Sequence, residues 1–82
     1  MIRTTALKTL RYLRDYEDGH GQPPMLRELA AGAGLRSAPG AWWQARQLVA
    51  DGLAEFTGSG ERRYRVSFQG RLLLDFYKDK QV

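Results

Sequence analysis

The chain has 82 residues, with 13 lysines and arginines against 9 aspartates and glutamates, a formal net charge of +4, no cysteine and one histidine. A chain of this length makes one small domain, over residues 1–82, and folding buries roughly 60–65% of its unfolded surface. Disulfides and thiolate metal sites are excluded, and His20 alone, in the loop-like stretch DGHGQPP, cannot build a zinc site.

No apolar run approaches the ~20 residues that a membrane span needs, and the start MIRTTALKTL has no signal-peptide pattern. A cytoplasmic location with no membrane contact is the expectation. The positive balance favours a polyanionic partner.

The spacing of Leu7, Leu10 and Leu13, with Ala6 and Tyr16 beside them, predicts a first helix from Thr5 to about Tyr16. Lys8, Arg11 and Arg14 lie on its other side and, with Arg27, are expected to form a solvated face balanced in part by Asp15, Glu17, Asp18 and Glu28. The stretch EDGHGQPP then breaks the pattern. A short second helix follows Pro24 in MLRELAAGAG, with Leu26, Leu29 and Ala30 as its apolar face. Gly32 and Gly34 end it, Gly34 as the left-handed turn residue.

The third helix is expected from Ser37 to about Asp51, capped by the Ser37 hydroxyl, with Pro39 in its first turn and Gly52 closing it. It carries adjacent tryptophans, which lie about 100° apart on a helix, so both rings cannot be fully buried. Ala41, Ala45, Leu48 and Val49 cluster within about 80° and mark the buried side. Trp42 falls at the edge of that side, where it flanks the core and covers the gap left by Ala41 and Ala45. Trp43 falls almost opposite, together with Pro39, Arg46, Gln47 and Ala50. A second register, counted from Ala30 and Gly34, turns Gly40 and Trp43 inward but buries the polar Gln47.

The segment LAEFTGSGERRYRVSF alternates and is rich in aromatic and β-branched residues, with the turn signal TGSGE at its middle. It predicts a hairpin pairing Leu53–Phe56 with Tyr64–Phe68. A last helix, GRLLLDFYKDK, follows. Its Leu72, Leu73, Leu74, Phe76 and Tyr77 spread over about 200° of surface, wider than one packing face needs. One side covers the core, and Leu72, Leu74, Phe76 and Tyr77 are the expected interface of a homodimer.

Arg62, Arg63 and Arg65 sit at or just after the hairpin tip and Arg71 follows the second strand, with only Glu61 opposing them locally. The guanidinium fork suits phosphate. With Arg36 and Arg46 of the third helix, five arginines are expected to face one groove, and the helix start at Ser37 offers free backbone N–H groups to a phosphate.

Three helices followed by a hairpin is the order of a winged helix-turn-helix. The expected fold is therefore a small α+β winged helix-turn-helix: three helices, a two-stranded wing and a C-terminal helix. The stretch GQPPMLRELAAGAGLRSAPGAWWQARQLVADGLAEF resembles the N-terminal DNA-binding domain of the LexA repressor. The shared features are the Gly-x-Pro-Pro loop, the ELA helix start, the GLRS turn and the closing DGLAE, and the resemblance covers roughly residues 4–68. It implies that the helix over about 37–51 is a recognition helix. The sequence departs from the family at Met25, which stands where a capping hydroxyl is usual, and at PGAWW, where the family's recognition helix is polar. The family's self-cleaving, dimerising domain does not follow within these residues.

No nucleophile-base set, metal cluster or phosphate-cradling loop occurs, so neither catalysis nor a cofactor is expected. The expected function is that of a sequence-specific, double-stranded DNA-binding transcriptional regulator of bacterial or phage type. Arg46 reads guanine, Gln47 reads adenine, and Trp43 meets thymine methyls or sugar-phosphate in the major groove. Arg36, Ser37, Arg62, Arg63 and Arg65 hold the backbone or minor groove. The alternative is a protein–protein adaptor that binds its partner through an exposed Trp43 and the apolar last helix.

Overall fold

The computed structural model describes residues 3–58 and 60–77. The element order is α1 Thr4–His20, α2 Leu26–Ala33, α3 Ala38–Ala50, β1 Ala54–Phe56, β2 Tyr64–Val66 and α4 Phe68–Tyr77. The chain is thus a small α+β fold of four helices and one two-stranded antiparallel hairpin.

α1 is the central element. Leu7, Leu10 and Leu13 are buried against Leu29 of α2, Ala41, Ala45 and Leu48 of α3, Tyr64 and Val66 of β2, and Leu74 of α4. The helix runs one turn past the predicted end at Tyr16. Gly21, not Gly19, takes the left-handed conformation at φ 73°, and its N–H closes the helix on the Glu17 carbonyl at 2.8 Å. The Tyr16 and His20 rings stack at 3.9 Å and 10°, an i, i+4 pair that supports the added turn.

α2 starts without a side-chain cap at Met25. The Glu28 carboxylate reaches back instead and accepts the Met25 N–H at 2.8 Å. Gly34 ends the helix at φ 73°, and the Leu35 N–H bonds the Ala30 carbonyl at 2.8 Å. Gly32, expected at the helix end, lies inside the last turn, and the Tyr12 ring of α1 occupies the place where a side chain would stand.

α3 follows the expected register. Ser37 Oγ accepts the Gly40 N–H at 3.4 Å, Pro39 sits in the first turn, and Ala41, Ala45 and Leu48 are buried while Gln47 is exposed. The hairpin pairs Ala54 with Val66, Glu55 with Arg65 and Phe56 with Tyr64. Its strands are shorter than predicted, because both flanks serve helix ends. The Leu53 N–H bonds the Leu48 carbonyl at 2.9 Å. Ser67 donates to the Gly52 carbonyl at 2.7 Å and accepts the Gly70 N–H at 3.0 Å, so α4 begins at Phe68 rather than Gly70.

α4 corrects one expectation about the interface. Leu74 is only 1% exposed and belongs to the core, so it cannot face a second chain. Gly70 is also buried, with the Leu53 carbonyl oxygen where a side chain would stand. Leu72 and Phe76 point outward, and Tyr77 is half-buried. The C-terminal end of the predicted helix, beyond Tyr77, lies outside the described residues.

Candidate nucleic-acid interface

The arginines divide into two sets. Arg62 belongs to the tied set and corrects the expectation that it reaches outward. Its Nη1 donates to the Pro23 carbonyl at 2.9 Å, to Glu28 Oε1 at 3.0 Å and to the Tyr16 hydroxyl at 3.1 Å. The guanidinium carbon also lies 5.7 Å from the centroid of the Tyr16 ring. This side chain fastens the hairpin to the end of α1, the following loop and the start of α2. The Met25 N–H, then the Tyr16 hydroxyl and Arg62, hold the Glu28 carboxyl below its usual range, against a partly opposing desolvation.

Arg65 and Arg71 are tied as well. Arg65 reaches Glu17 of α1 at 3.2 Å and its cross-strand neighbour Glu55 at 3.8 Å. Arg71 forks onto Asp18 at 2.9 and 3.4 Å and lies 3.8 Å from Glu17. Hydrogen bonding from Arg71 lowers the Asp18 carboxyl below its usual range. Of the acids expected to balance the first-helix cations, Asp15 does pair with Arg14 at 2.9 Å, whereas Glu17, Asp18 and Glu28 face the hairpin and α4. Glu61 is not the main counter-charge of these arginines. Partly exposed pairs of this kind add little stability, but they do cancel local charge.

Arg27, Arg36, Arg46 and Arg63 form the second set. All four are exposed, and none makes a salt bridge among the described residues. Arg63 is braced by its own turn, its Nε donating to the Gly60 carbonyl at 2.7 Å. Arg27 and Arg63 line one shallow groove with Met25, Leu26, Ala38 and Glu61. The starts of α2 and α3 and the hairpin tip thus meet on one side of the molecule. Arg36 and Ser37 immediately precede Ala38 in the chain.

From Ala38 the strip continues along α3 in steps of four, through Trp42 to Arg46. The Arg46 guanidinium lies over the Trp42 indole, 6.0 Å from its centroid. Trp42 is 44% exposed, so it does not cover the core as expected. Alanines at 41 and 45 let the neighbouring helices close in and leave no recess for an indole.

Trp43 lies on the opposite flank of α3 and is 56% exposed. With Gln47 it lines an open groove of about 750 Å³, together with Arg3, Leu53, Leu73 and Tyr77. The two tryptophans, and the neighbours Arg46 and Gln47, are therefore split between two surfaces. The sequence reading assigned Arg27 to a solvated face and Trp42 to the rim of the core, and gave neither a place in the interface. The spacing 38–42–46 carried the signal for Trp42, whereas nothing local marked Arg27.

Comparison with family models, with curated proteins and with solved structures returned no match. Among the described residues no helix is long and apolar enough to cross a membrane, and no group of three or more histidines and carboxylates is placed to hold a metal ion.

Proposed function

We propose that this chain is a winged helix-turn-helix protein that binds double-stranded DNA and regulates transcription. In this reading α2, its turn and α3 are the helix-turn-helix, and the hairpin is the wing. The observation that carries it is the partition of the arginines. Those near the end of α1 are neutralised by Glu17, Asp18 and Glu28, whereas Arg27, Arg36, Arg46 and Arg63 remain unpaired around α3 and the hairpin tip. The resemblance of residues 4–68 to the LexA DNA-binding domain supports the same reading.

In the complex, the outer strip of α3 enters the major groove. Arg46, braced by the Trp42 ring, reaches a guanine edge with its guanidinium fork. Arg63 and Arg27, which line one shallow groove, take neighbouring phosphates, and Arg36 takes one beside the capped start of α3.

The test is fluorescence anisotropy of a labelled mixed-sequence duplex titrated at three salt concentrations. These three phosphate contacts predict that log K falls against log salt with a slope of about −3. Absence of binding at low salt overturns the proposal. One observation favours a second reading, a protein adaptor: Trp43 shares its groove with Leu73 and Tyr77 of α4. Capture of a protein partner that Trp43→Ala abolishes, with no DNA binding by the parent chain, is the result that selects it.

A further inference from the structure

The outward face of α4 carries Phe68, Leu72 and Phe76, four residues apart, so that their side chains form one ridge. They are 71%, 52% and 63% exposed. Gly70 and Leu74 hold the opposite face of the helix in the core. We propose that this ridge is an interface between two copies of the chain, with α4 packed antiparallel on α4 of the second copy and a two-fold axis passing through Leu72. Nothing in this pairing depends on DNA binding.

The ridge reads the same in both directions from Leu72. Positions equally far before and after the axis face each other in an antiparallel pair. Leu72 therefore meets its twin, and Phe68 meets Phe76 of the second copy twice over. A two-fold interface demands such self-complementarity. The charges agree with this direction, Arg71 having only its Nη edge engaged by Asp18 and its Nε left to share. Arg71 and Asp75 lie one turn apart on the same flank of the ridge. Antiparallel packing brings each Asp75 to within about 3 Å, along the helix axis, of the level of Arg71 in the second copy. In a parallel pair the two-fold axis runs along the helices, so these two flanks would lie on opposite sides of the seam and Asp75 would meet no Arg71. Asp75 makes no salt bridge among the described residues and has the capacity for one.

The available area sets the strength. Two phenylalanines and a leucine exposed to this extent offer roughly 300–400 Å² per chain, against about 800 Å² per partner in a stable complex. The dimer is therefore weak, forming at roughly tens to hundreds of micromolar protein.

Sedimentation velocity across about 5–500 µM tests this. The expected result is a sedimentation coefficient that rises with concentration. Leu72→Glu stays monomeric throughout, with the far-UV spectrum and Tm of the parent, because Leu72 lies outside the core. The absence of native cysteine allows the direction of packing to be read by oxidation. Leu72→Cys, on the axis, forms a disulfide dimer. Phe68→Cys and Phe76→Cys each fail alone, their twins being displaced by about 12 Å along the axis, but they link when the two variants are mixed. A parent chain that stays monomeric at the highest concentration overturns the pairing. So does a Leu72→Glu variant that dimerises like the parent, or self-linking of both Phe68→Cys and Phe76→Cys.

Discussion

Arg62 bonds the same carboxylate oxygen of Glu28 that caps the second helix. Glu28 Oε1 accepts the Met25 N–H at 2.8 Å and Arg62 Nη1 at 3.0 Å. One oxygen thus joins the start of a helix to a hairpin 34 positions further along the chain.

Removing the arginine end of this link is expected to loosen the hairpin before the core. Arg62→Ala should lower Tm and accelerate amide exchange at Thr57, whose N–H bonds the Arg63 carbonyl, while the amides of Leu10 and Leu13 change least. Arg62→Lys should recover only part of the loss: all three bonds come from one nitrogen, which an ammonium can replace, but the planar guanidinium over the Tyr16 ring is lost. Unchanged exchange at the hairpin in Arg62→Ala would show that the link is dispensable.

The same carboxylate makes stability depend on pH. Glu28 and Asp18 titrate below their ordinary values of 4.5 and 3.8 in the folded chain. The unfolded chain then binds more protons in this window, so stability rises with pH. Their contribution is fully present above about pH 5 and is lost as pH falls through the folded values. Urea unfolding between about pH 3 and 6 should show a plateau and then a decline, and the double variant Glu28→Gln, Asp18→Asn should flatten that decline.

Two glycines should respond unequally to alanine. At Gly70 the obstacle is the Leu53 carbonyl, with a Val66 methyl at 2.9 Å, and backbone cannot step aside. Gly70→Ala should cost about 1–3 kcal/mol or prevent folding. At Gly32 the obstacle is the outer edge of the Tyr12 ring, which can turn away, and alanine gains about 0.8–1 kcal/mol of helix propensity. Gly32→Ala should therefore be the milder change in chemical denaturation, and the reverse order would disprove these contacts.

The arginine sets should separate in salt titrations of DNA binding. Arg27→Ala and Arg63→Ala should weaken binding to all duplexes and reduce the salt slope by about one each. Arg65→Ala should leave the slope unchanged, because its charge is already met by Glu17 and Glu55. Arg46→Ala should narrow the gap between preferred and other sequences by about 1–3 kcal/mol. Trp42→Ala should act in the same direction but less strongly, and Trp43→Ala should not. Equal effects at Arg65 and Arg63 would remove the reason for dividing them.

Much of this architecture was legible in the sequence. The leucine spacing of α1, the left-handed Gly34 and the Ser37 cap follow from local rules and recur in the structure. The ends of the strands were not legible: the Ser67 N–H still reaches the Leu53 carbonyl across the hairpin at 3.0 Å, but the Leu53 N–H closes α3 and the Ser67 hydroxyl caps α4. The partition of the arginines was hidden for a related reason. Arg71 finds Asp18 across 53 positions, and a charge count along the chain sees only Glu61 nearby. Helical angle placed Trp42 at the rim of the buried side but carried no information on how closely the next helix approaches. Alanine at 41 and 45 brings that helix close and keeps the ring outside.

The contact between Gly70 and the Leu53 carbonyl has a mechanical meaning. Leu53 is bonded to the last turn of α3 through the Leu48 carbonyl, so α4 rests on the backbone that ends α3 with no side chain as a cushion. Such a joint has almost no compliance. In a pair of chains joined through α4, any adjustment of the distance or tilt between the two α3 helices would therefore have to come from the α4 seam and not from this joint.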